Sequence, residues 1–215
     1  MADIKKLYKK LFIKHGDSPY AVKAKNKKQQ YKRFENLIRC CDIKKGDTVL
    51  DLGCGTGEFF KFLKKFKIKK YCGVDFLEDF IYAAKKKYYK NKKIKFIKID
   101  FEKKSIPKNY DWVFLSGTFN DKKNNSNLFM KKTLKKMFNS CKKGIVFNSL
   151  SSHVDYKDKN LFYSNPEEIL KFCVKNLSKY YVIRSDYQLK DNTIPFEYSM
   201  CIKKKLNEKI FFTKN

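Results

Sequence analysis

The stretch that decides the fold is Thr48–Phe60, which reads TVLDLGCGTGEFF. It begins with a short apolar run that Asp51 interrupts, turns through Gly53, Gly55 and Gly57, and continues as a helical apolar pattern. A buried strand, a glycine turn and a helix form the first unit of a nucleotide-binding α/β domain. Glycines let the backbone approach a ligand closely because no Cβ stands in the way.

The spacing of this turn differs from the dinucleotide-binding fingerprint, whose third glycine would fall at Glu58. The stretch 51–57 (DLGCGTG) instead resembles the first motif of the class I methyltransferases, which use S-adenosylmethionine and release S-adenosylhomocysteine. That cofactor has no phosphate, and its ammonium and sulfonium groups suit an acid at Asp51. The resemblance implies that the methionine end is held by Asp51, Gly53, Cys54, Gly55 and Gly57. A glycine-rich turn in another kind of α/β domain is the alternative.

Strand and helix patterns alternate after the glycine turn, which is typical of a parallel sheet. Further strands are predicted at 70–75, 94–100, 110–115, 144–150, 180–187 and 196–202, the last two as an antiparallel hairpin. A helix over 128–141 is predicted to be closed by Gly144, and Ser164 is predicted to cap a helix that Pro166 begins. The predicted fold is therefore α/β and Rossmann-like, with a seven-stranded, mostly parallel sheet, helices on both faces and an antiparallel C-terminal hairpin.

The chain of 215 residues is predicted to form one methyltransferase domain. Residues 1–45 carry two helical patterns, 46–205 form the Rossmann-like core, and 206–215 are a tail. The resemblance implies that helices before the first strand act as a lid over the cofactor and shape the acceptor pocket. Arg33 lies in this lid and is predicted to bind the acceptor.

Two acids end the next strands. Asp75 follows the glycine turn by about 20 residues, where a carboxylate accepts both ribose hydroxyls in nucleotide-binding folds. The resemblance implies that Asp100 accepts the adenine amino group and that Phe76 and Phe101 contact the adenine. The alternative for both acids is the capping of a loop, turn or helix.

The stretch 116–120 (SGTFN) ends the fourth strand, beside the expected position of the reacting methyl group. Ser116 and Gly117 are assigned to the cofactor. Methyltransferases that act on the amino groups of adenine, cytosine or glutamine carry a Pro-Pro motif here, and cytosine-C5 enzymes carry a Pro-Cys nucleophile; the sequence has neither. The residues predicted to bind the acceptor are Arg33, Phe119, Asn120, Asn148 and Tyr163.

A combined pattern in the His15 turn, in 116–120 and in 147–163 is similar to a bacterial subgroup of small, stand-alone class I methyltransferases. This resemblance implies a small-molecule acceptor, including intermediates of surface polysaccharides such as a capsular phosphoramidate. The sequence departs from the subgroup at His153, where an aromatic residue is expected. A hydroxyl acceptor benefits from a general base, and the residues predicted for it are His153 and His15. Tyr156 is predicted to take part in catalysis by orienting the acceptor. Structural or solvated roles are the alternatives for both histidines.

Composition bounds the partners. The formal net charge of +29 comes almost entirely from lysines spread through every predicted element, which indicates a solvated surface more than a nucleic-acid face. Seven cysteines without a Cys-x-x-Cys pair argue against a metal site.

No apolar run suits a membrane span or a signal core, so a cytoplasmic protein is expected. An RNA methyltransferase and a non-catalytic cofactor-binding protein remain as rival hypotheses, and the oligomeric state stays open.

Overall fold

The computed structural model describes residues 2–191, 193–194 and 196–205, so the predicted tail 206–215 lies outside the described residues. The helices are α1 (Ala2–His15), α2 (Lys27–Arg39), α3 (Glu58–Leu63), α4 (Glu78–Lys87), α5 (Ser126–Ser140) and α6 (Pro166–Asn176). Short 3₁₀ helices span Pro19–Val22, Lys64–Phe66 and Thr118–Asn120. The strands are β1 (Thr48–Leu52), β2 (Lys70–Asp75), β3 (Ile94–Lys98), β4 (Tyr110–Leu115), β5 (Cys141–Ser151), β6 (Tyr163–Ser164), β7 (Tyr180–Arg184) and β8 (Glu197–Lys203).

The strands form one sheet in the order β3-β2-β1-β4-β5-β8-β7. Pairing is parallel from β3 to β5 and antiparallel where β8 meets β5 and β7. Strand order reverses between β1 and β4, and ligands bind at such a switch point in open α/β sheets. Leu52 pairs with both Val74 of β2 and Leu115 of β4, so the carboxyl ends of these three strands meet at one edge.

The predicted number of seven strands is wrong by one. Tyr163 and Ser164 form the two-residue strand β6, which pairs with β5 at Leu150 and Ser151. The sequence predicts Ser164 as a helix cap because Pro166 follows it. The cap is Asn165, whose side chain accepts a hydrogen bond from the Glu168 amide, and this leaves Ser164 free to pair with β5.

Gly144 does not close α5, contrary to the prediction. The helix ends at Ser140 and the chain enters β5 directly at Cys141, so Gly144 lies inside the strand. A Cβ at Gly144 would lie 2.7 Å from the Ile202 carbonyl oxygen and 2.8 Å from the Trp112 ring. The glycine is needed there for close packing of β5 against its neighbours.

Helices cover both faces of the sheet, as predicted. One buried cluster joins Leu50 of β1 to α5 and α6 through residues such as Leu134 and Ile169. The other joins Val49 to α2, α3 and α4 through residues such as Leu37. Consecutive residues of β1 thus point to opposite faces, which is the period of a strand buried on both sides.

Helix α1 and the 3₁₀ helix Pro19–Val22 pack together beside the carboxyl edge of the sheet. A small apolar cluster fixes them there: Ala21, Leu77 and Phe80 are buried, and Tyr8 and Phe12 pack against them. Within the described ranges, no helix is both long enough and apolar enough to cross a bilayer.

Candidate active site

A cavity of about 610 Å³ opens at the carboxyl edge of the sheet, where β1, β2 and β4 end. Its wall includes all the residues predicted to contact the cofactor except Gly57. Those that line it are Asp51, Gly53, Cys54, Gly55, Asp75, Phe76, Asp100, Phe101, Ser116 and Gly117. Residues that are distant in the sequence thus meet in one site because parallel strands end at the same edge.

The glycine turn has the backbone that its sequence predicts. Gly53 and Gly55 have φ values of +75° and +52°, a region that other residues rarely adopt. A Cβ at Gly53 would lie 2.3 Å from Thr118 Oγ1, so the turn and the loop after β4 touch through this glycine. Gly57 also has a positive φ, of +82°, and it serves packing as well, because a Cβ there would lie 2.8 Å from the Phe96 ring.

Two buried carboxylates stand side by side under the turn. Asp75 accepts hydrogen bonds from the backbone amides of Gly55 (3.0 Å) and Leu77 (2.9 Å), and Asp51 accepts one from the Tyr71 hydroxyl (2.5 Å). Burial raises the pKa of Asp75 to about 6, although these backbone amides oppose the shift. Burial raises the pKa of Asp51 to about 7, with Tyr71 opposing the shift and Asp75 adding to it.

Neither carboxylate forms an ion pair with a basic side chain in the part of the chain that the structure describes. Buried charges are costly unless they are paired. A ligand that brings an ammonium group and hydroxyl donors into the cavity therefore fits these two acids. An anionic ligand at the same place would be repelled.

Helix α1 contacts the opposite wall of the cavity. Lys5 Nζ lies 3.0 Å from Asp100 Oδ2 and 5.7 Å from the centroid of the Phe76 ring. The Tyr8 hydroxyl donates to Asp121 Oδ2 at 2.7 Å, and Lys23 Nζ lies 2.5 Å from Asp121 Oδ1. These contacts hold the N-terminal segment against the loops that follow β3 and β4.

A second set of polar contacts joins the segment between α1 and α2 to the glycine turn. The Thr56 hydroxyl donates to the Asp17 carboxylate, and Lys87 Nζ lies 2.8 Å from Asp17 and 3.0 Å from Glu58. Tyr31 of α2 donates to Glu58 at 2.8 Å. The N-terminal segment thus contacts the turn as well as the far wall of the cavity.

Four residues of the site were not predicted from the sequence: Tyr8, Lys23, Asp121 and Glu197. Tyr8 falls on the apolar stripe of α1, so its position favours a packing role. A signal was present for Glu197, which is a carboxylate inside an apolar strand.

Arg33 lies on the wall of the cavity and is held by Glu197 of β8. The Glu197 carboxylate accepts hydrogen bonds from Arg33 Nε, at 3.1 Å to Oε1 and 2.9 Å to Oε2. Arg33 Nη2 also lies 2.9 Å from Oε2. The two side chains are 14% and 1% exposed, so this ion pair is buried. Burial disfavours the charged guanidinium, but Glu197 outweighs it and raises the pKa of Arg33 above its usual value.

Comparison with known families decides the class of the protein. A family model described as a methyltransferase domain matches residues 43–195, which is well over half of the chain. The chain belongs to this methyltransferase domain family. No curated protein matches the sequence.

Solved structures agree on the fold. The N-methyltransferase NodS from Bradyrhizobium japonicum WM9, crystallised with S-adenosylhomocysteine, superimposes with a TM-score of 0.67 at 13% identity, covering 93% of this chain and 97% of NodS. Magnesium protoporphyrin IX methyltransferase from Synechocystis PCC 6803, with bound S-adenosylmethionine, gives a TM-score of 0.58 at 14% identity over 82% of this chain and 79% of that one. Phosphoethanolamine N-methyltransferase 2 from Haemonchus contortus, in complex with S-adenosylhomocysteine, gives a TM-score of 0.58 at 17% identity over 71% of this chain; the matched region is only 38% of that enzyme. The predicted enzyme class, an S-adenosylmethionine-dependent methyltransferase, is confirmed.

Several residues predicted for catalysis or acceptor binding do not line the cavity of this methyltransferase. His15 ends α1 and packs on Tyr20, with 5.5 Å between ring centroids. His153 Nε2 lies 3.2 Å from Glu167 on an exposed surface, and Tyr156 is 79% exposed. The Tyr163 hydroxyl accepts from the Asp158 amide. The structure does not bring these four side chains to the cavity, and their predicted roles stay predictions.

Of the other residues predicted to bind the acceptor, one lines the cavity and two are buried. Asn120 lines the cavity, and its Oδ1 accepts from the Leu150 amide at 3.3 Å. Phe119 is buried in the core against Phe147. Asn148 is fully buried, and its Oδ1 accepts from the Gly117 amide at 2.9 Å, so it shapes the end of β4 from behind. In the described residues, no group of three or more His, Cys, Asp or Glu side chains is placed to hold a metal ion.

Proposed function

We propose that this methyltransferase transfers a methyl group to a small polar acceptor, at an oxygen atom, in the cytoplasm. The observation that carries the proposal is the cavity itself, which joins the carboxylates at the strand ends to Arg33, Asn120 and Asp121. One side of the cavity thus suits a nucleoside with a positively charged tail. The other side offers hydrogen-bonding groups for a second molecule.

The row of acids suggests how S-adenosylmethionine would lie. Asp51 and the glycine turn would hold the methionine ammonium, Asp75 the ribose hydroxyls and Asp100 the adenine amino group, with Phe76 and Phe101 beside the ring. When bound, the cofactor supplies a methyl group on a positively charged sulfur, which is already an activated donor. The protein then contributes mainly alignment of the acceptor and exclusion of water.

The N-terminal segment is proposed to act as a lid. Lys5, Tyr8 and Lys23 connect it to Asp100 and Asp121, which lie in the loops that end the sheet strands. These polar contacts are few, so they can break and re-form at a modest cost in free energy, while the apolar cluster of Ala21, Leu77 and Phe80 keeps the segment beside the cavity. A segment held this way can admit the ligands and then cover them.

The class of acceptor is suggested by the subgroup that the sequence resembles and by the names of the structural neighbours. The resembled bacterial subgroup points to phosphate, phosphoramidate or sugar intermediates of surface polysaccharides. The structural neighbours are named for phosphoethanolamine and magnesium protoporphyrin IX, which are small molecules. Two neighbours are named N-methyltransferases, so nitrogen is the competing acceptor atom.

The proposed function is tested in two steps. Titration calorimetry with S-adenosylhomocysteine should give a saturable, micromolar heat. Incubation with methyl-labelled S-adenosylmethionine and a low-molecular-weight cell extract should then transfer label to a small molecule. Absence of binding would defeat the proposed cofactor site, whereas binding without any labelled product would favour the non-catalytic rival.

Cofactor affinity should depend on pH. Protonation of Asp51, with a pKa of about 7, removes the charge proposed to attract the ammonium group, and protonation of Asp75, with a pKa of about 6, weakens the acceptor proposed for the ribose hydroxyls. Binding of S-adenosylhomocysteine should therefore weaken from pH 8 to pH 5, approaching tenfold per pH unit for each protonated acid.

Stability without ligand should change in the opposite sense. Both folded-state pKa values lie above the ordinary value of 3.8, so between about pH 4 and pH 7 the native state binds more protons than the unfolded chain. This contribution to stability is present at low pH and is lost as the pH rises through that window. Calorimetry and thermal unfolding at pH 5.5, 6.5 and 7.5 test the pair of trends, and an affinity that does not vary with pH would contradict them.

A separate prediction concerns the contacts of the proposed lid and the rate at which S-adenosylhomocysteine dissociates. Tyr8→Phe removes the hydrogen bond to Asp121 but keeps the packing of the ring against Phe76 and Phe80. We expect S-adenosylhomocysteine to dissociate roughly three- to tenfold faster, since a hydrogen bond to a charged group contributes about 1.5 kcal/mol. Stopped-flow displacement measures this rate. Lys9→Ala, a change at an exposed position of the same helix, is the control, and equal rates in the two variants would argue against a lid.

A specific observation favours RNA as a second candidate acceptor. A groove of about 570 Å³ beside the loop after β3 is lined by one acid, Glu102, and by Lys103, Lys122, Lys123, Lys132 and Lys136. Three of these lysines are already engaged: Lys122 and Lys136 donate to backbone carbonyls, and Lys123 pairs with Glu102. RNA binding that weakens steeply with salt and disappears on Lys103→Gln and Lys132→Gln substitution, together with label in total RNA, would favour this candidate.

A further inference from the structure

Arg33 has hydrogen-bond donors that no residue in the described part of the chain accepts. A guanidinium carries five N–H donors. Glu197 binds the edge of the Arg33 guanidinium formed by Nε and Nη2. The donors on Nη1 have no acceptor among the described residues. Nη1 lies 3.9 Å from the point where a Cβ on Gly117 would be, so it stands at the end of β4.

Glu197 fixes the guanidinium from behind. This carboxylate is 1% exposed, and the Tyr187 hydroxyl lies 3.3 Å from its Oε1. The same hydroxyl lies 2.8 Å from Ser199 Oγ, which restrains it in turn. Buried and restrained on one edge, Arg33 has little freedom to move its other edge away from the cavity.

The surrounding charges favour a negative group at this position. Asp121, an acid on the cavity wall, is already bonded to Lys23 and Tyr8. Lys190 lines the same cavity near the Phe196 ring and has no carboxylate partner within the described ranges. A planar fork of guanidinium N–H donors matches the geometry of two oxygens on a carboxylate or phosphate.

We propose that the methyl acceptor carries an oxyanion, a carboxylate or a phosphate-type group, and that Arg33 binds it at the end of β4 through the remaining fork, formed by N–H groups of Nη1 and Nη2. Glu197 is then a positioning residue, which orients Arg33 without touching the acceptor. This inference rests on the proposed function, because it places the oxyanion beside the expected methyl group. It narrows the acceptor from any small polar molecule to an acid or a phosphorylated compound.

The chain has three arginines, Arg33, Arg39 and Arg184, so the nitrogen-15 spectrum of arginine side chains is simple to read. Protein labelled at arginine and saturated with S-adenosylhomocysteine is titrated at pH 6.5 with inorganic phosphate and, separately, with acetate. We expect the Arg33 signal to move in a saturable way while the Arg39 and Arg184 signals stay in place. A response to phosphate alone, to acetate alone or to both supports the site and assigns the oxyanion.

Matched variants complete the design. Arg33→Lys keeps a positive charge beside Glu197 but loses the fork, so the phosphate or acetate dissociation constant should weaken at least tenfold. Arg39→Lys, an exposed position of the same helix paired with Glu35, should leave it unchanged. Glu197→Gln should broaden the Arg33 signal, whereas Glu35→Gln should leave that signal sharp; an unaltered Arg33 signal in Glu197→Gln would remove the positioning role.

Failure of this inference differs from failure of the proposed function. If S-adenosylhomocysteine binds but Arg33 responds to neither anion, or if all three arginine signals move together, the oxyanion site is overturned and the cofactor site stands. If S-adenosylhomocysteine does not bind, the proposed cofactor site is overturned. The anion titration of the ligand-free protein then tests the oxyanion site by itself. Should Arg33→Lys fail to fold, the spectrum of the unaltered protein still decides.

Discussion

Asp75→Ala should weaken binding of S-adenosylhomocysteine at least 100-fold. If the carboxylate accepts both ribose hydroxyls, it makes two charge-assisted hydrogen bonds, each contributing about 1.5–3 kcal/mol. A loss of about 3 kcal/mol corresponds to roughly 100-fold in affinity. The substitution also removes the acceptor for the Gly55 and Leu77 amides, so the glycine turn loses a contact that fixes its shape.

Calorimetry with S-adenosylhomocysteine measures this effect, and thermal unfolding without ligand checks that the variant is folded. Glu78→Gln is the matched control, because Glu78 lies three residues further along and is exposed, bonded only to Lys98. We expect its affinity to stay within about twofold of the parent, since exposed ion pairs contribute about 0–1 kcal/mol. An Asp75→Ala variant that binds as the control does would show that the cofactor does not lie along these strand ends.

Glu197→Ala should have the largest effect on stability. Removing one partner of a buried ion pair typically costs about 3–5 kcal/mol, because the other charge is left without compensation. Arg33 and Glu197 fit that case, with exposures of 14% and 1%. Urea unfolding should therefore show a large decrease in the midpoint, with an unchanged slope if the folded state remains compact.

The same helix provides the control for this prediction. Arg39 and Glu35 form an exposed pair with a 2.8 Å contact, and Glu35→Ala should cost no more than about 0.5 kcal/mol. Equal losses in Glu197→Ala and Glu35→Ala would contradict the prediction.

A double substitution separates stability from function. Arg33→Met with Glu197→Leu should recover most of the stability, because well-packed apolar residues often replace buried ion pairs without loss. The same variant should lose the proposed response to phosphate or acetate. That outcome would indicate that the pair is kept for recognition of the acceptor, whereas an unstable double variant would assign it to folding.

The histidines show where reasoning from the sequence reached its limit. His153 follows β5 along the chain, and its predicted role as a base requires it to lie over the cavity. Residues 163–164 instead pair with β5 as an extra strand, and His153 turns outward to Glu167. Short strands of this kind have no periodicity that a sequence can display, so the path of the loop could not be predicted.

The sequence by itself determined the glycine turn, the order of the helices and of the strands other than β6, and the residues that line the cavity at the strand ends. These features follow from local rules: glycine at positive φ, apolar periodicity, and the common edge at which parallel strands end. Tertiary structure alone decided how the N-terminal helices meet the sheet. Arg33 meets Glu197 across 164 residues, Lys5 meets Asp100 across 95 and Tyr8 meets Asp121 across 113. Such pairs depend on how helices dock on the finished sheet, and a single sequence carries no local signal for packing between elements so far apart.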